Sequence, residues 1–405
     1  MVAQTQINKS LLLFALYLAQ GLPFGFFTLA LPVILRDAGF SLTQISLLGL
    51  LTLPWALKFL WAPIIDGYGT ARGWLLGLQV SGVALALALS QLDLDTNFVL
   101  LVAAALAFNI IAASQDVVTD GLAVRLLDPK ERGIGNGLQV GAYRVGMILG
   151  GGALLWLYSQ QGWRPAFLAM ALLLAVTVAP VLRLDKLPRA ATRPVLRTRD
   201  LALGWMARLA DPTILTAVVL IALYRFGDQM VSSLFGPFLS DTGLDLATIA
   251  LLKGTVGSAT SLAGAALGGV FVFAVGRRRA LLAAGLAQSA SFALYIAAAM
   301  DMGGASLLWI ATIVEGIVST IATVALFTLM MDAAEPDHAG TDYALLASAV
   351  VLVGTLAGFA GAALGDAIGY TQTFAAGSAL AAAGCLAVVA ILDRHAPQRI
   401  AAVWR

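Results

Sequence analysis

Residues Asn109 to Gly152 read NIIAASQDVVTDGLAVRLLDPKERGIGNGLQVGAYRVGMILGGG, and this stretch decides the fold class. Two apolar runs with helical spacing meet at a short charged turn, Asp128-Pro129-Lys130-Glu131-Arg132-Gly133. Each run carries a charge far from that turn: Asp116 twelve residues before Asp128, and Arg144 twelve residues after Arg132. If the runs are antiparallel helices rising ~1.5 Å per residue, both charges lie ~18 Å from the turn. In a bilayer whose hydrocarbon core is ~30 Å thick, that is near the middle, where ionisable side chains are costly and mark functional positions. The matching depth predicts an Asp116–Arg144 pair that pins the helices, serves transport, or both. Asp120, one turn on from Asp116, shares its face.

Working outward, 60% of the 405 residues are hydrophobic, 11% are charged, and the mean hydropathy is +0.91. Such a composition excludes an ordinary soluble domain. Apolar runs of about 20 residues recur between short polar breaks, as consecutive spanning helices do. Twelve are expected, with the second over 43–65 and the last over 371–392. The long Ala/Leu runs do not alternate as barrel strands would. The fold class predicted is an all-α membrane protein of twelve transmembrane helices in two pseudo-symmetric six-helix bundles. The bundles take residues 1–183 and 212–392, joined by a basic linker, 184–211, and followed by a tail, 393–405.

Of the 24 Lys and Arg residues, four lie inside runs, eighteen fall in breaks that share a side with both termini, and only Arg36 and Arg164 fall opposite. The positive-inside rule then places both termini in the cytoplasm of a cell whose inner membrane holds the chain. The net charge of +2 reflects topology and gives no reason to expect a nucleic-acid partner. The first run is too long for a cleaved signal and is expected to remain as a span. The single cysteine, Cys385, excludes an internal disulfide and argues against a thiolate metal site, and the two histidines, His338 and His395, lie in a turn and in the tail. No metal, cofactor or nucleotide-binding loop is expected. The partners expected are the lipid bilayer and a small anionic molecule, carried by a monomer.

The halves repeat. Leu31-Pro32 and Gly39 to Ile45 answer Gly236-Pro237 and Gly243 to Ile249; Asp128-Pro129 to Gly133 answers Glu335-Pro336 to Gly340; Gly69 and Arg72 answer Gly276 and Arg279. All share an offset of 204 to 207 residues, the signature of a duplication. Parallel repeats of six helices resemble the major facilitator transporters, a likeness that implies a substrate site near midplane on the first, fourth, seventh and tenth spans. The turn after the second span resembles that superfamily's loop motif: Asp66, Gly69 and Arg72 match, while Ala62 and Gly67 depart from it. The second copy keeps Gly269, Gly276 and Arg277 to Arg279 but has Phe273 where the acid belongs, which argues against a symmetric gate.

A closer resemblance is carried by QGLPFG (Gln20 to Gly25), LKFLWAPIID (Leu57 to Asp66), SQDVVTDG (Ser114 to Gly121), ERGIGNG (Glu131 to Gly137) and YRVGM (Tyr143 to Met147). These resemble the branch holding AmpG-type muropeptide permeases, acetyl-coenzyme A transporters and RhtX/FptX-type siderophore permeases, mostly through the first half. TDGLAV, GNGLQVGAYRVGMILGGG and the chain length look most like the siderophore permeases. The resemblance implies proton-coupled siderophore uptake by alternating access, with anhydromuropeptide import as the alternative. A membrane-embedded transferase is the rival of another class; the duplication and the lack of a histidine within the spans count against it.

Inside the runs lie the cations Lys58, Arg144, Arg225 and Lys253 and the anions Asp116, Asp120, Asp228 and Glu315. Lys58 is expected to snorkel to the interface or to pair with Asp120. By the repeat, Arg225 corresponds to Gln20, and its fixed fork suits a substrate carboxylate unless Asp228 occupies it. Tyr224 and Trp309 are candidate substrate contacts beside Gln20, Arg225, Asp116 and Arg144. Asp228, Glu315 and Asp116 are candidate proton carriers, and Asp66, Gly69, Arg72 and Arg277 the candidate gating loops. Pro23 and its flanking glycines predict a kink in the first span. The tryptophans near span ends, Trp55 and Trp61 among them, are expected in the interfacial belt.

Overall fold

The computed structural model describes residues 2–37, 47–91, 98–182, 205–244, 248–249 and 251–404, and its regular elements are helices. Among the described residues, 11 helices are long and apolar enough to cross a membrane. We number the spans α1 (Lys9–Leu35), α3 (Ala71–Leu89), α4 (Val99–Leu126), α5 (Arg132–Gln161), α6 (Trp163–Leu182), α7 (Pro212–Asp241), α8 (Gly257–Val275), α9 (Arg277–Ala299), α10 (Gly304–Ala333), α11 (Pro336–Ile368) and α12 (Tyr370–His395). The remaining expected span, α2, is broken over 47–67 into Leu47–Thr52, Leu53–Leu57, Lys58–Leu60 and Ala62–Gly67, the first and third of these wound as 3-10 helix. Its breaks have a covalent cause: Pro54 and Pro63 each open a new α-helical piece at its first or second residue, where a missing N–H costs nothing. A short helix, α13 (Gln398–Trp404), follows α12. The linker stretch 183–204, the repeat matches at Gly39 to Ile45 and Asp245 to Ala247, and the side chain of Lys253 lie outside the described residues.

The chain divides into two compact units. Unit 1 comprises Met1–Leu126, Leu138–Met206 and Glu335–Leu345; unit 2 comprises Leu127–Gly137, Ala207–Ala334 and Leu346–Arg405.

Within unit 1, α1 and α5 touch backbone to backbone. A methyl group on Gly21 would overlap the Tyr143 carbonyl, one on Gly25 would lie 2.6 Å from Met147 Cα, and one on Gly146 would lie 2.8 Å from the Leu22 nitrogen. Lipid tails are as apolar as leucine, so helices here associate by close packing, and small residues four apart permit the approach. A kink is expected at Pro23; α1 runs helically past it through Gly25 and then winds as a π turn, Phe26–Ala30. A matching π turn, Leu149–Ala153, interrupts α5 in its glycine run. Phe26, Phe27, Phe108 and Phe167 fill the space around these turns.

Unit 2 has an aromatic core of its own. Phe235 stacks on Tyr295 with ring centres 3.9 Å apart, and Phe238, Phe292 and Phe374 close around them. Trp309, half-buried, packs against this apolar cluster.

Candidate functional site

Unit 1 carries a buried polar cluster around Asp116 and Asp120 of α4. Asp116 is ion-paired with Lys58, which also stands 3.8 Å from Asp120 Oδ2. The partner expected from depth was Arg144; the structure supplies Lys58 in that role, and Lys58, 3% exposed, does not snorkel. The broken winding of α2 explains this. Residues three apart align along a 3-10 turn, and Trp55, Lys58 and Trp61 all bond α4: Trp55 Nε1 donates to Asn109 Oδ1 (3.2 Å) and Trp61 Nε1 to Ser114 Oγ (3.0 Å). Both tryptophans thus hold α2 to α4 through polar partners, beyond the interfacial role expected of them. Asp120 Oδ1 accepts from Tyr17 (2.9 Å) and Gln139 Nε2 (3.1 Å), and Tyr343 reaches Gln139 Oε1 at 3.5 Å. Gln20 donates to Thr119 Oγ1 at 3.0 Å and keeps its Oε1 buried without a partner. Arg144 approaches the Met147 sulfur at 3.8 Å.

In unit 2 the buried pair is Arg225–Asp228, one helical turn apart on α7, with Nη1 2.8 Å from Oδ2. The guanidinium also donates to Thr323 Oγ1 (3.3 Å) and Gln229 Oε1 (3.0 Å), and Gln288 of α9 bonds the Asp228 carboxylate. Its Nε stays buried without a partner. The internal bridge weighed from the sequence therefore exists, and it leaves part of the fork uncommitted. Tyr224 is removed from the candidate contacts. Consecutive helical residues point about 100° apart, and Tyr224 turns away to donate to the Leu281 carbonyl (3.1 Å) and to pack on Gly285. Glu315 stands half-buried in α10.

Each unit has a second network at the end that holds the basic breaks. In unit 1, Asp66 Oδ1 bonds Arg125 of α4 (2.8 Å) while Oδ2 accepts from the N–H (2.6 Å) and hydroxyl (2.8 Å) of Thr341, in the first α-helical turn of α11, which starts at Ala339 after the 3-10 turn Pro336–His338. Gly121 and Gly340 let that helix start come close: a methyl on Gly340 would lie 2.8 Å from Asp66 Oδ1. Gly69 adopts φ +73°, a turn conformation that favours glycine. Arg72 belongs elsewhere, bonding the Leu182 carbonyl at the end of α6 (3.0 Å). In unit 2, Asp332 at the end of α10 is gripped by Arg277 (Nε to Oδ2, 2.8 Å) and by Arg132 (2.8 Å), and Arg277 also bonds the Pro129 carbonyl. The loss of the acid at Phe273 therefore does not abolish the second network; Asp332 supplies the carboxylate from another helix.

Several members escaped the sequence reading. Asp332 and Asp342, 3% and 0% exposed, sit at helix ends that resemble polar breaks. The repeat offset could have found Asp332, since 207 residues separate it from Arg125. Nothing in local pattern marks Tyr17, Gln139 and Tyr343, which meet Asp120 or its partners from three different spans.

With this geometry in hand, the sequence pattern described as Major Facilitator Superfamily matches residues 13–341. The chain belongs to that superfamily. An anhydromuropeptide permease of Escherichia coli (strain K12) is 31% identical over 369 residues, 87% of this chain and 74% of that protein, so the likeness does not stop at the first half. A putative transporter AmpG 4 of Rickettsia felis is 23% identical over 368 residues, covering 85% and 87%. Among solved structures, the E. coli fucose:proton symporter superposes with a TM-score of 0.72 at 15% identity, over 96% of this chain and 98% of that one. The human organic anion transporter gives 0.71 at 17% identity, over 94% and 99%. At those identities the structural likeness establishes the twelve-helix fold and nothing finer. The protein is a multi-pass membrane permease of the major facilitator superfamily, and its cargo is a small molecule.

Proposed function

We propose that this permease imports an anhydromuropeptide by alternating access, in the inner membrane with both termini cytoplasmic, and that a proton gradient drives the uptake. The observation that carries the reading is the 31% identity to the E. coli anhydromuropeptide permease, sustained over 87% of this chain. A siderophore cargo rests on the short likeness of TDGLAV and the Gly135 to Gly152 stretch and on the chain length. Muropeptides carry carboxylates, and the uncommitted Nε of Arg225 suits such a group, a charge-assisted bond in a site shielded from water being a strong one. Buried carboxylates within the spans support proton coupling, and the excess of basic residues on one side supports the orientation.

Purified protein in proteoliposomes tests the reading. Labelled anhydromuropeptide should accumulate under an acid-outside gradient, and a protonophore should abolish the accumulation. Uptake of a ferric siderophore in place of the muropeptide would overturn the cargo. Accumulation that survives the protonophore would overturn the coupling.

A further inference from the structure

The break in α2 leaves a backbone acceptor without its helical donor. Pro63 has no N–H, so it cannot bond the carbonyl of Phe59 four residues earlier, as an uninterrupted α-helix would require. An unmet carbonyl inside a span is costly. The structure meets it from outside α2: Trp205 Nε1 donates to the Phe59 carbonyl at 3.3 Å. The same indole lies nearly parallel to the Phe59 ring, at 15° with ring centres 6.2 Å apart, within the range of offset stacking. One side chain thus makes two contacts with one residue, a polar one through the backbone and an apolar one through the ring. Both residues are half-buried.

Trp205 belongs to the basic linker, in a helical stretch, 205–209. A tryptophan beside a membrane-spanning bundle is by default a headgroup anchor. Depth and partner argue otherwise here. Phe59 precedes Asp66, the acid of the basic-end network, by seven residues, roughly 10 Å of helix, so the indole reaches well inside that end. The stretch is fixed beyond Trp205 as well: six residues on, Asp211 caps α7.

We propose that the break in α2 is a docking seat for the linker, and that Trp205 is the peg that holds it. The seat depends on how α2 is wound. Phe59 is the middle residue of the 3-10 turn Lys58–Leu60, where successive side chains stand about 120° apart; in an α-helix they stand about 100° apart. Rewinding this turn as α-helix swings the Phe59 ring and carbonyl away from the indole. A docked Trp205 therefore favours the 3-10 winding, the form in which Lys58 meets Asp116. By linkage the reverse holds: whatever favours α-helical winding at Phe59 expels Trp205. The linker is in this way a brake on the rewinding of α2, whatever the cargo.

Hydrogen–deuterium exchange of the purified protein in detergent, followed over residues 205–209, tests this without any substrate. Trp205→Ala removes both contacts and should raise exchange there about tenfold; Trp205→Phe keeps a stacking ring and should raise it about threefold. The decisive variant lies on α2. Pro63→Ala returns an N–H to the Phe59 carbonyl and should also raise exchange over 205–209 about threefold, whereas Pro54→Ala, at the other break, should leave it unchanged. Trp205→Phe combined with Pro63→Ala should exchange no faster than either alone, since both remove the same bond. Phe59→Leu takes the ring and spares the carbonyl, so it guards against a Pro63 variant that fails to fold; it should raise exchange by itself and compound with Trp205→Phe. Exchange over 205–209 that ignores both Pro63→Ala and Phe59→Leu would mean a headgroup anchor and overturns the proposal. Effects of Trp205→Phe and Pro63→Ala that multiply in the double variant overturn it too.

Discussion

In unit 1 the acid of the basic-end network, Asp66, lies in the last turn of α2, before the loop, and its cation, Arg125, ends α4; in unit 2 the cation, Arg277, opens α9 after the corresponding loop and the acid, Asp332, ends α10. Shifted by the repeat, Arg125 falls on Asp332 and Asp66 falls on Phe273. The same kind of contact is built with its polarity reversed, and polarity decides what else can join. An acid at this end of α2 can accept from the first N–H groups of a neighbouring α-helix, where the macrodipole favours negative charge, as Asp66 does with Thr341. A guanidinium can only donate, so Arg277 takes the Pro129 carbonyl, and Asp332 is left facing two cations. What recurs between the halves is charge balance at a helix end; the residue types do not.

The largest test of that difference is Asp332→Ala. With the carboxylate gone, Arg132 and Arg277 lose their shared buried partner, and thermal unfolding in detergent should report a loss of about 3–5 kcal/mol. Asp66→Ala should cost about 1–3 kcal/mol, since Arg125 is 29% exposed in its side chain and water can replace the acid. Equal losses would break the comparison.

Exchanging the charges sharpens it. Asp66→Arg combined with Arg125→Asp gives unit 1 the polarity of unit 2, yet Thr341 then lacks its acceptor. A double-mutant cycle should find no recovery beyond Asp66→Ala. Full recovery would mean that the ion pair alone matters. A smaller loss, about 1–3 kcal/mol from overpacking, is expected for Gly340→Ala, whose methyl would lie 2.8 Å from Asp66 Oδ1; Gly358→Ala, with its nearest neighbour at 3.6 Å, should be silent.

The smallest effect concerns Asp211, which caps α7 in unit 2. Burial pushes its carboxyl up, but the N–H groups of Thr213 and Ile214 and the Arg399 guanidinium outweigh that and hold it below the usual carboxylate range. Its folded value lies below its unfolded value, so its contribution is present above the ordinary carboxylate range and is lost as the pH falls through that range. Asp211→Asn keeps a capping oxygen and removes the charge. Unfolding curves should show a change below about 1 kcal/mol at neutral pH, and none in acid where Asp211 is already protonated.

Hydropathy gave the spans because twenty-residue apolar runs have few other readings, and the turn after α4 located the depth of Asp116. The cation that meets Asp116 was not legible. Lys58 reaches it only because Pro54 and Pro63 break α2 and realign three residues, a tertiary outcome that helical periodicity does not carry. Tyr224 was misread through nearness in sequence to Arg225, although neighbours on a helix face different ways. Asp332 was overlooked because a charge in the last turn of an apolar run looks like the start of a polar break.

The glycine contact between α1 and α5 has a mechanical consequence. With Gly21 and Gly25 on one helix and Gly146 and Gly150 on the other in backbone contact, no layer of side chains remains to shear. The two helices form one laminated beam, stiffer than either alone, and the paired π turns at Phe26–Ala30 and Leu149–Ala153 are the places where that beam can flex.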